Sequence, residues 1–340
     1  MIPVYKPSIK RKEMDALLST LVTDYIDSAN DNSEFLKAIS KFLHLGGGAL
    51  LRDYSTAISI ALDALELGSG NKVLISPLSP SSYLRELEKR KITVIYADVD
   101  IASGCISSDE MERLLNTDID ALILYSPNGI SPDYSFLSDA DIPIIEDITT
   151  TIGCRLDEEE RDWTADIIIL RMELMDIITS GEGTAVLAVD KKNLSGLRHT
   201  LSNLPVTSYL LNMHAAMGHI QLGSIEYFLE RRREIGSIFE SSLLKGNHRT
   251  FHSPEDVERN YPTFHVILNS PLKEVSRYAR KNGVMTELAF SDSSLALDPI
   301  DSGQCPNAGS LLLRTVVFPL YPGLGSRNTE TIARLLSTLP

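Results

Sequence analysis

The sequence predicts an α/β protein: a mostly parallel sheet covered by helices, followed by a small C-terminal α+β domain. Three observations predict it. Short Ile/Val/Leu runs alternate with amphipathic segments from residue 72 to residue 190. These runs are apolar at consecutive positions, the pattern of strands buried on both faces. After "KGNHRT" (245–250) the texture changes to two apolar strands interleaved with two helices. A length of 340 residues suits about two domains. They are drawn at 1–240 and 241–340, with the N-terminal helix as an alternative companion of the small domain.

In chain order, "SIKRKEMDALLSTLVTDYI" (8–26) predicts a helix. Ser8 can cap it, and Met14, Leu17, Leu18, Leu21 and Val22 recur on one face. "NSEFLKAISKFLHL" (32–45) is a second amphipathic helix, ended by Gly46, Gly47 and Gly48. "STAISIALDALEL" (55–67) is apolar almost all round and predicts a buried helix. Strands follow at 72–77, 93–100, 121–127, 142–148, 166–170 and 184–190, with helices at 83–91 and 107–116 between them. Residues 211–244 read as one long helical region. Its Arg231, Arg232, Arg233 and Glu234 read as a solvated face. The last stretch predicts strands at 263–269 and 311–324 and helices at 272–283 and 327–339.

A formal net charge of −14 argues against a nucleic-acid or anionic-membrane partner. Cys105, Cys154 and Cys305 are far apart with no CxxC spacing, so reduced thiols are expected and no metal site. The first residues lack a signal-peptide core and no run is long enough to span a membrane, so a cytoplasmic protein is expected.

In parallel α/β sheets, ligands bind beyond the carboxyl ends of the strands. The residues there are Ser76-Pro77, Ser126-Pro127, Asp147 to Thr150, and the loop within "DIIILRMELMDIITSGEGTAVLAV" (166–189). That loop, between two core strands, contains no lysine.

Several segments in order resemble one family. They are "IPVYKPSI", "LGSGNKVLISP" (67–77), "YADVD" (96–100), "IPIIEDI" (142–148), "SGEGTAVLAVD" (180–190), "AAMGHIQLGSIEYFLERRREI" (215–235) and "FPLYPGL" (318–324). The chain resembles, over nearly its whole length, the DegT–DnrJ–StrS sugar aminotransferases, which are pyridoxal phosphate (PLP) enzymes of fold type I. The resemblance implies a PLP-transferase fold, a homodimer with shared active sites and a nucleotide-sugar ligand.

Carried over position by position, the resemblance assigns Asp147 to the cofactor's pyridine nitrogen. Thr150 stands where the family usually has Gln or His. The family lysine lies five residues before the Gly-Glu-Gly turn, and that position holds Asp176. A carboxylate forms no imine with the cofactor aldehyde. Some members have His there and act as dehydratases with noncovalent cofactor, so Asp176 as a base is one alternative. The family's Ser-Gly-Thr phosphate turn becomes Asp53, Tyr54 and Ser55. An aspartate beside a phosphate opposes binding by a few kcal/mol, about 4 at ~4 Å. Tyrosine crowds the turn, and only Ser55 stays compatible. The first aromatic after "ISP" is Tyr83, already inside a helix, and Thr207, Ser208 and Tyr209 replace the family's partner-reaching Asn-Tyr-Arg.

The bland readings stand beside these. Glu182 is a turn residue; His214 and His219, five apart on a helix, are structural; "DEEERD" (157–162) is a solvated loop; "LGSGNK" has no nucleotide-loop context. The expected function is a degenerate DegT-type homologue, unable to use PLP as a transaminase, that binds a nucleotide-sugar or a partner protein in polysaccharide or sugar biosynthesis. The alternatives are a working PLP-dependent aminotransferase or dehydratase, and a PLP-independent site in which Asp53, Asp147 and Asp176 converge on a metal or on one another.

Overall fold

The computed structural model describes residues 1–22, 32–154, 163–253, 259–299 and 303–340. The expected solvated loop at 157–162 and the end of the first helix lie outside these residues.

The large sheet is built from β1 (Gly47–Leu51), β2 (Lys72–Ile75), β3 (Thr93–Tyr96), β4 (Ala121–Tyr125), β5 (Ile144–Asp147), β6 (Ile167–Arg171) and β7 (Thr184–Ala188). Helices α1 (Arg11–Val22), α2 (Ser33–Phe42), α3 (Tyr54–Ala64), α4 (Ser81–Lys89), α5 (Ser108–Leu115), α6 (Lys191–Leu201), α7 (Asn212–Leu222) and α8 (Ile225–Leu243) accompany it. The strand order is β1-β7-β6-β5-β4-β2-β3. β7 runs antiparallel to both its neighbours, and the other pairings are parallel.

The strand side chains explain the continuous apolar runs. Leu74, Leu122, Ile144, Ile168, Leu170 and Leu187 join a core with α2 and α7. Val73, Ile75, Ile123, Ile145, Ile167, Ile169 and Val186 join the opposite core with α3, α4 and α6. Successive strand residues point to opposite faces, and both faces are covered.

Several local expectations are corrected. Gly47 and Gly48 belong to the edge strand β1 rather than to a helix end. A Cβ on Gly48 would lie 2.0 Å from the Val186 carbonyl oxygen, so glycine is required for this pairing. The segment 211–244 divides into α7 and α8 around Gly223 and Ser224. Ser8 does not cap α1; the Lys10 N–H instead donates to the Glu13 carboxylate at 2.9 Å. The apolar stripe of α1 faces outward, with Met14, Leu18, Leu21 and Val22 exposed, while α1 packs on α7.

The second sheet contains β8 (Phe264–Ile267), β9 (Glu287–Leu288) and β10 (Thr315–Phe318), in the order β8-β10-β9. With α9 (Leu272–Lys281), α10 (Ser294–Leu297), α11 (Pro306–Arg314) and α12 (Ser326–Leu336) it forms the C-terminal α+β unit. Residues 311–314, read as strand, are the end of α11. The C-terminal half of α8 enters this unit's core through Ile235, Phe239 and Leu243. The charged cluster on α8 is therefore not one solvated face: Arg231 pairs with Glu234, whereas Arg232 is only 3 % exposed. The N-terminal segment also reaches this unit, with Ile2 bridging Val284 and Val4 packing on Ala289 and Val317.

Candidate functional site

The parallel strands β4, β5 and β6 end together at Tyr125, Asp147 and Arg171. Tyr125 is in register with Asp147, and Asp147 with Ile169. β1 delivers the start of α3 to the same edge, because Leu51 is in register with Thr184 and Thr184 with Arg171. Asp53 caps α3 by accepting from the Thr56 N–H at 2.8 Å and the Thr56 hydroxyl at 2.6 Å. This is an ordinary N-cap. It sets Tyr54 as the first helical residue, and the side chain turns inward, 6 % exposed.

Asp147 is buried and accepts three hydrogen bonds. Its Oδ2 takes the hydroxyls of Tyr54 and of Tyr83, the latter at 2.9 Å, and its Oδ1 takes the Thr149 N–H at 2.9 Å. Tyr83 comes from the first turn of α4 and meets Tyr54 edge to face, with ring centroids 5.6 Å apart. The Arg171 guanidinium lies over the Tyr54 ring, 5.2 Å from its centroid. Arg171 in turn holds Asp176 through two hydrogen bonds, of 3.0 and 2.9 Å. A third comes to Asp176 from the Glu173 N–H at 2.7 Å. The fork geometry is the strong bidentate form of this pair.

The electrostatics keep this arrangement locked. Burial, followed by the Asp147 charge, pushes the hydroxyls of Tyr54 and Tyr83 well above the usual tyrosine range, so both stay protonated donors. Burial disfavours the charge on Arg171, but Asp176 more than offsets this and raises its pKa.

The remaining expected residues are placed as follows. Thr150 donates its hydroxyl back to the Ser126 carbonyl at the end of β4, and the neighbouring Thr149 hydroxyl accepts the Arg171 N–H at 3.0 Å. Ser55 sits one residue past Tyr54 in the first turn of α3, half-buried. Gly181 and Gly183 of the Gly-Glu-Gly turn both have positive φ, and Glu182 between them lies 3.9 Å from His214. His219 stacks on Phe35. The carboxylates of Asp53, Asp147 and Asp176 form no three-carboxylate site: one caps a helix, one is held by tyrosines, one by arginine. Among the described residues no cluster of three or more His, Cys, Asp or Glu is placed to hold a metal. Lys191 and Lys192 begin α6 after β7. Lys192 lines a groove with Pro143 and Asp166, beside the starts of β5 and β6, so it stands at the opposite edge from Asp147.

These residues do not fit a PLP cofactor. The carboxylate that the family resemblance assigns to the pyridine nitrogen is filled by the chain's own hydroxyls. The cavity beside Asp176 has a volume of about 10 Å³, and that beside Asp147 about 20 Å³. Each suits roughly one water. The sequence pointed to Tyr54 in the phosphate turn and to Tyr83 inside a helix, but not to Arg171 and Tyr125 at the ends of their strands. The available signal was that Tyr125 and Arg171 stand at the ends of two apolar strands.

Comparisons with known proteins agree with this architecture. The model of the DegT/DnrJ/EryC1/StrS aminotransferase family matches residues 7–337. GDP-perosamine synthase of Vibrio cholerae is 23% identical over 316 residues, covering 86% of this chain and 83% of that protein. The aminotransferase TlmJ from Streptoalloteichus hindustanus superposes with a TM-score of 0.86 at 19% identity, over 98% of this chain and 97% of that one. A GDP-4-keto-6-deoxymannose-3-dehydratase, solved with a trapped PLP–glutamate geminal diamine, gives a TM-score of 0.87 at 15% identity, over 99% and 100% of the two chains. The chain belongs to the DegT/DnrJ/EryC1/StrS aminotransferase family and has the fold of its PLP-type members.

Proposed function

We propose that this family member has closed its cofactor pocket with its own side chains and does not act as a PLP-dependent transaminase. One observation carries this reading: Asp147 is bonded by the hydroxyls of Tyr54 and Tyr83, with the Tyr54 ring seated beneath Arg171. Asp176 at the lysine position supports it, and so does the placement of Lys192 at the far edge of the sheet. The scaffold then serves as a binding subunit in nucleotide-sugar or polysaccharide biosynthesis. Support for that setting comes from relatives such as GDP-perosamine synthase, whose name carries a GDP-sugar. We place it there as a homodimer, with the outward apolar stripe of α1 (Met14, Leu18 and Leu21) as surface for a second copy.

An absorbance titration with PLP, followed by borohydride trapping and peptide mapping, tests the reading. The expected result is no saturable aldimine band and no reduced lysine adduct. A saturable band with a trapped lysine overturns it and returns the chain to the working transaminases. Sedimentation of the protein tests the dimer, and a monomer at micromolar concentration removes that part of the proposal.

A further inference from the structure

The amino edge of the large sheet has the room that the carboxyl edge lacks. A groove of about 720 Å³ runs between the end of α3, the segments that enter β5 and β6, and the first turns of α6. That volume lies within the roughly 300–1,000 Å³ of small-ligand sites. The cavities beside Asp176 and Asp147 fall far below it.

The lining combines apolar, aromatic and polar surface. Leu65, Ile142 and Pro143 supply the apolar part. Trp163, the only tryptophan of the chain, lines the same groove and is half-buried. Its Nε1–H donates to the Leu43 carbonyl at 3.0 Å. An indole carries no second polar group, so what it offers a ligand is aromatic surface. Asp166 supplies the polar part. Its Oδ1 accepts from the Asn193 amide at 2.8 Å and its Oδ2 from the Ile144 N–H at 2.9 Å. These bonds fix the carboxylate against α6 and β5, and each oxygen keeps a further acceptor site. A positioned acceptor and an aromatic side chain thus share one groove.

A sugar ring matches that pair, because its C–H face packs on an indole while its hydroxyls donate to a carboxylate. The charge of the lining decides between a neutral and an anionic sugar. Glu66, Asp141 and Asp166 stand against Lys192 alone. A phosphate charge about 4 Å from an unmatched carboxylate is disfavoured by about 1 kcal/mol in water and about 4 at an effective dielectric of ~20. A nucleoside diphosphate brings several such charges.

We propose that this groove binds a neutral oligosaccharide, with one ring against Trp163 and its hydroxyls on Asp166. The assignment gives a site to the binding role proposed above and rests on that reading for its biological setting. The groove lies at the opposite edge of the sheet from Asp147, so the PLP titration and a saccharide titration succeed or fail independently.

Emission from Trp163 reports binding directly, since no other tryptophan contributes. The full chain is titrated with maltotetraose, cellotetraose and chitotetraose, and with GDP as the anionic comparison. The expected result is a saturable change with at least one of the neutral saccharides, at an apparent Kd of about 1 mM or tighter, and none with GDP. Trp163→Ala, followed by calorimetry, is expected to weaken that saccharide at least about tenfold. If this variant fails to fold, protection of Trp163 from acrylamide quenching by the same saccharide in the parent protein decides. No response to any of the three saccharides overturns the proposal. So does a response to GDP alone, which gives the groove to a nucleotide, or an affinity unchanged in Trp163→Ala. A chain that binds saccharide yet traps PLP on a lysine loses the closed-pocket reading and keeps this one.

Discussion

The two edges of the large sheet differ far more than the strands that join them. At the amino edge, Trp163, Asp166, Lys192 and Asn193 line a groove of about 720 Å³. At the carboxyl edge, the cavities beside Asp176 and Asp147 leave about 10 and 20 Å³. Both edges are polar, and both use aspartates to bind backbone N–H groups. Asp166 accepts from the Ile144 N–H at 2.9 Å and the Asn193 amide at 2.8 Å, in partial contact with solvent. Asp147 is instead buried beneath tyrosine hydroxyls, and the Asp176 side chain, 7 % exposed, is held by arginine. An α/β sheet thus leaves a crevice beyond its strand ends, and the residues placed there decide whether it stays open. In this chain the carboxylates at that edge are held by tyrosine and arginine side chains, while the backbone framework keeps the family's form.

The comparison breaks most sharply at the Arg171–Asp176 pair. Asp176→Ala removes both short carboxylate bonds of the partly exposed guanidinium, leaving Glu173 at 3.8 Å, and is expected to lower unfolding stability by about 3 kcal/mol. The double variant Arg171→Met, Asp176→Leu is expected to recover most of that loss, because both charges leave together. Urea unfolding of the three proteins checks the pattern; a double variant as unstable as the single one contradicts a self-contained pair.

The tyrosines come next. Tyr54→Phe removes one donor from Asp147 and is expected to cost about 1.5 to 3 kcal/mol at neutral pH. Both tyrosine pKa values are raised in the folded state above the ordinary value of 10.0. Their contribution is therefore fully present below pH 10 and is lost as pH rises above it, because the unfolded chain releases these protons first. The expected slope is about 1.4 kcal/mol per tyrosine for each pH unit above that value. Chemical denaturation between neutral pH and strong alkali measures it, and Tyr54→Phe should flatten the alkaline limb relative to the parent. An unchanged limb would mean that Tyr54 ionises in the native state.

The smallest effect belongs to the open edge. Lys192→Ala is expected to shift stability by no more than about 0.5 kcal/mol, since exposed charges contribute little. A loss comparable to that of Asp176→Ala would show that the open groove carries structural load and would remove the contrast between the edges.

Much of this molecule was legible in the sequence because the signals are local. Runs such as "DIIIL" (166–170) are apolar at successive positions because both strand faces are covered. The family resemblance put Asp147 and Asp176 in one pocket and flagged Tyr54 as a misfit in its turn. The strand in "LGGGALL" (45–51) was hidden because its glycines also read as a helix stop, and only its pairing with β7 shows why they are needed. Arg232 read as solvated because its neighbours are charged, yet the C-terminal unit folds back over that face of α8.

The sequence by itself determined the strand and helix alternation, the family framework and the absence of a lysine from the loop. Only the tertiary structure decided what replaced the family's pocket contacts. The Tyr54–Asp147 bond spans 93 residues and the Tyr83–Asp147 bond 64. Arg171 and Asp176, close in sequence, meet because the loop after β6 curls back and the Glu173 N–H holds the same carboxylate. Periodicity and capping act over a few residues and can be read from the chain. A hydrogen bond between distant side chains forms only where the sheet's register and the helix starts bring both groups to one edge.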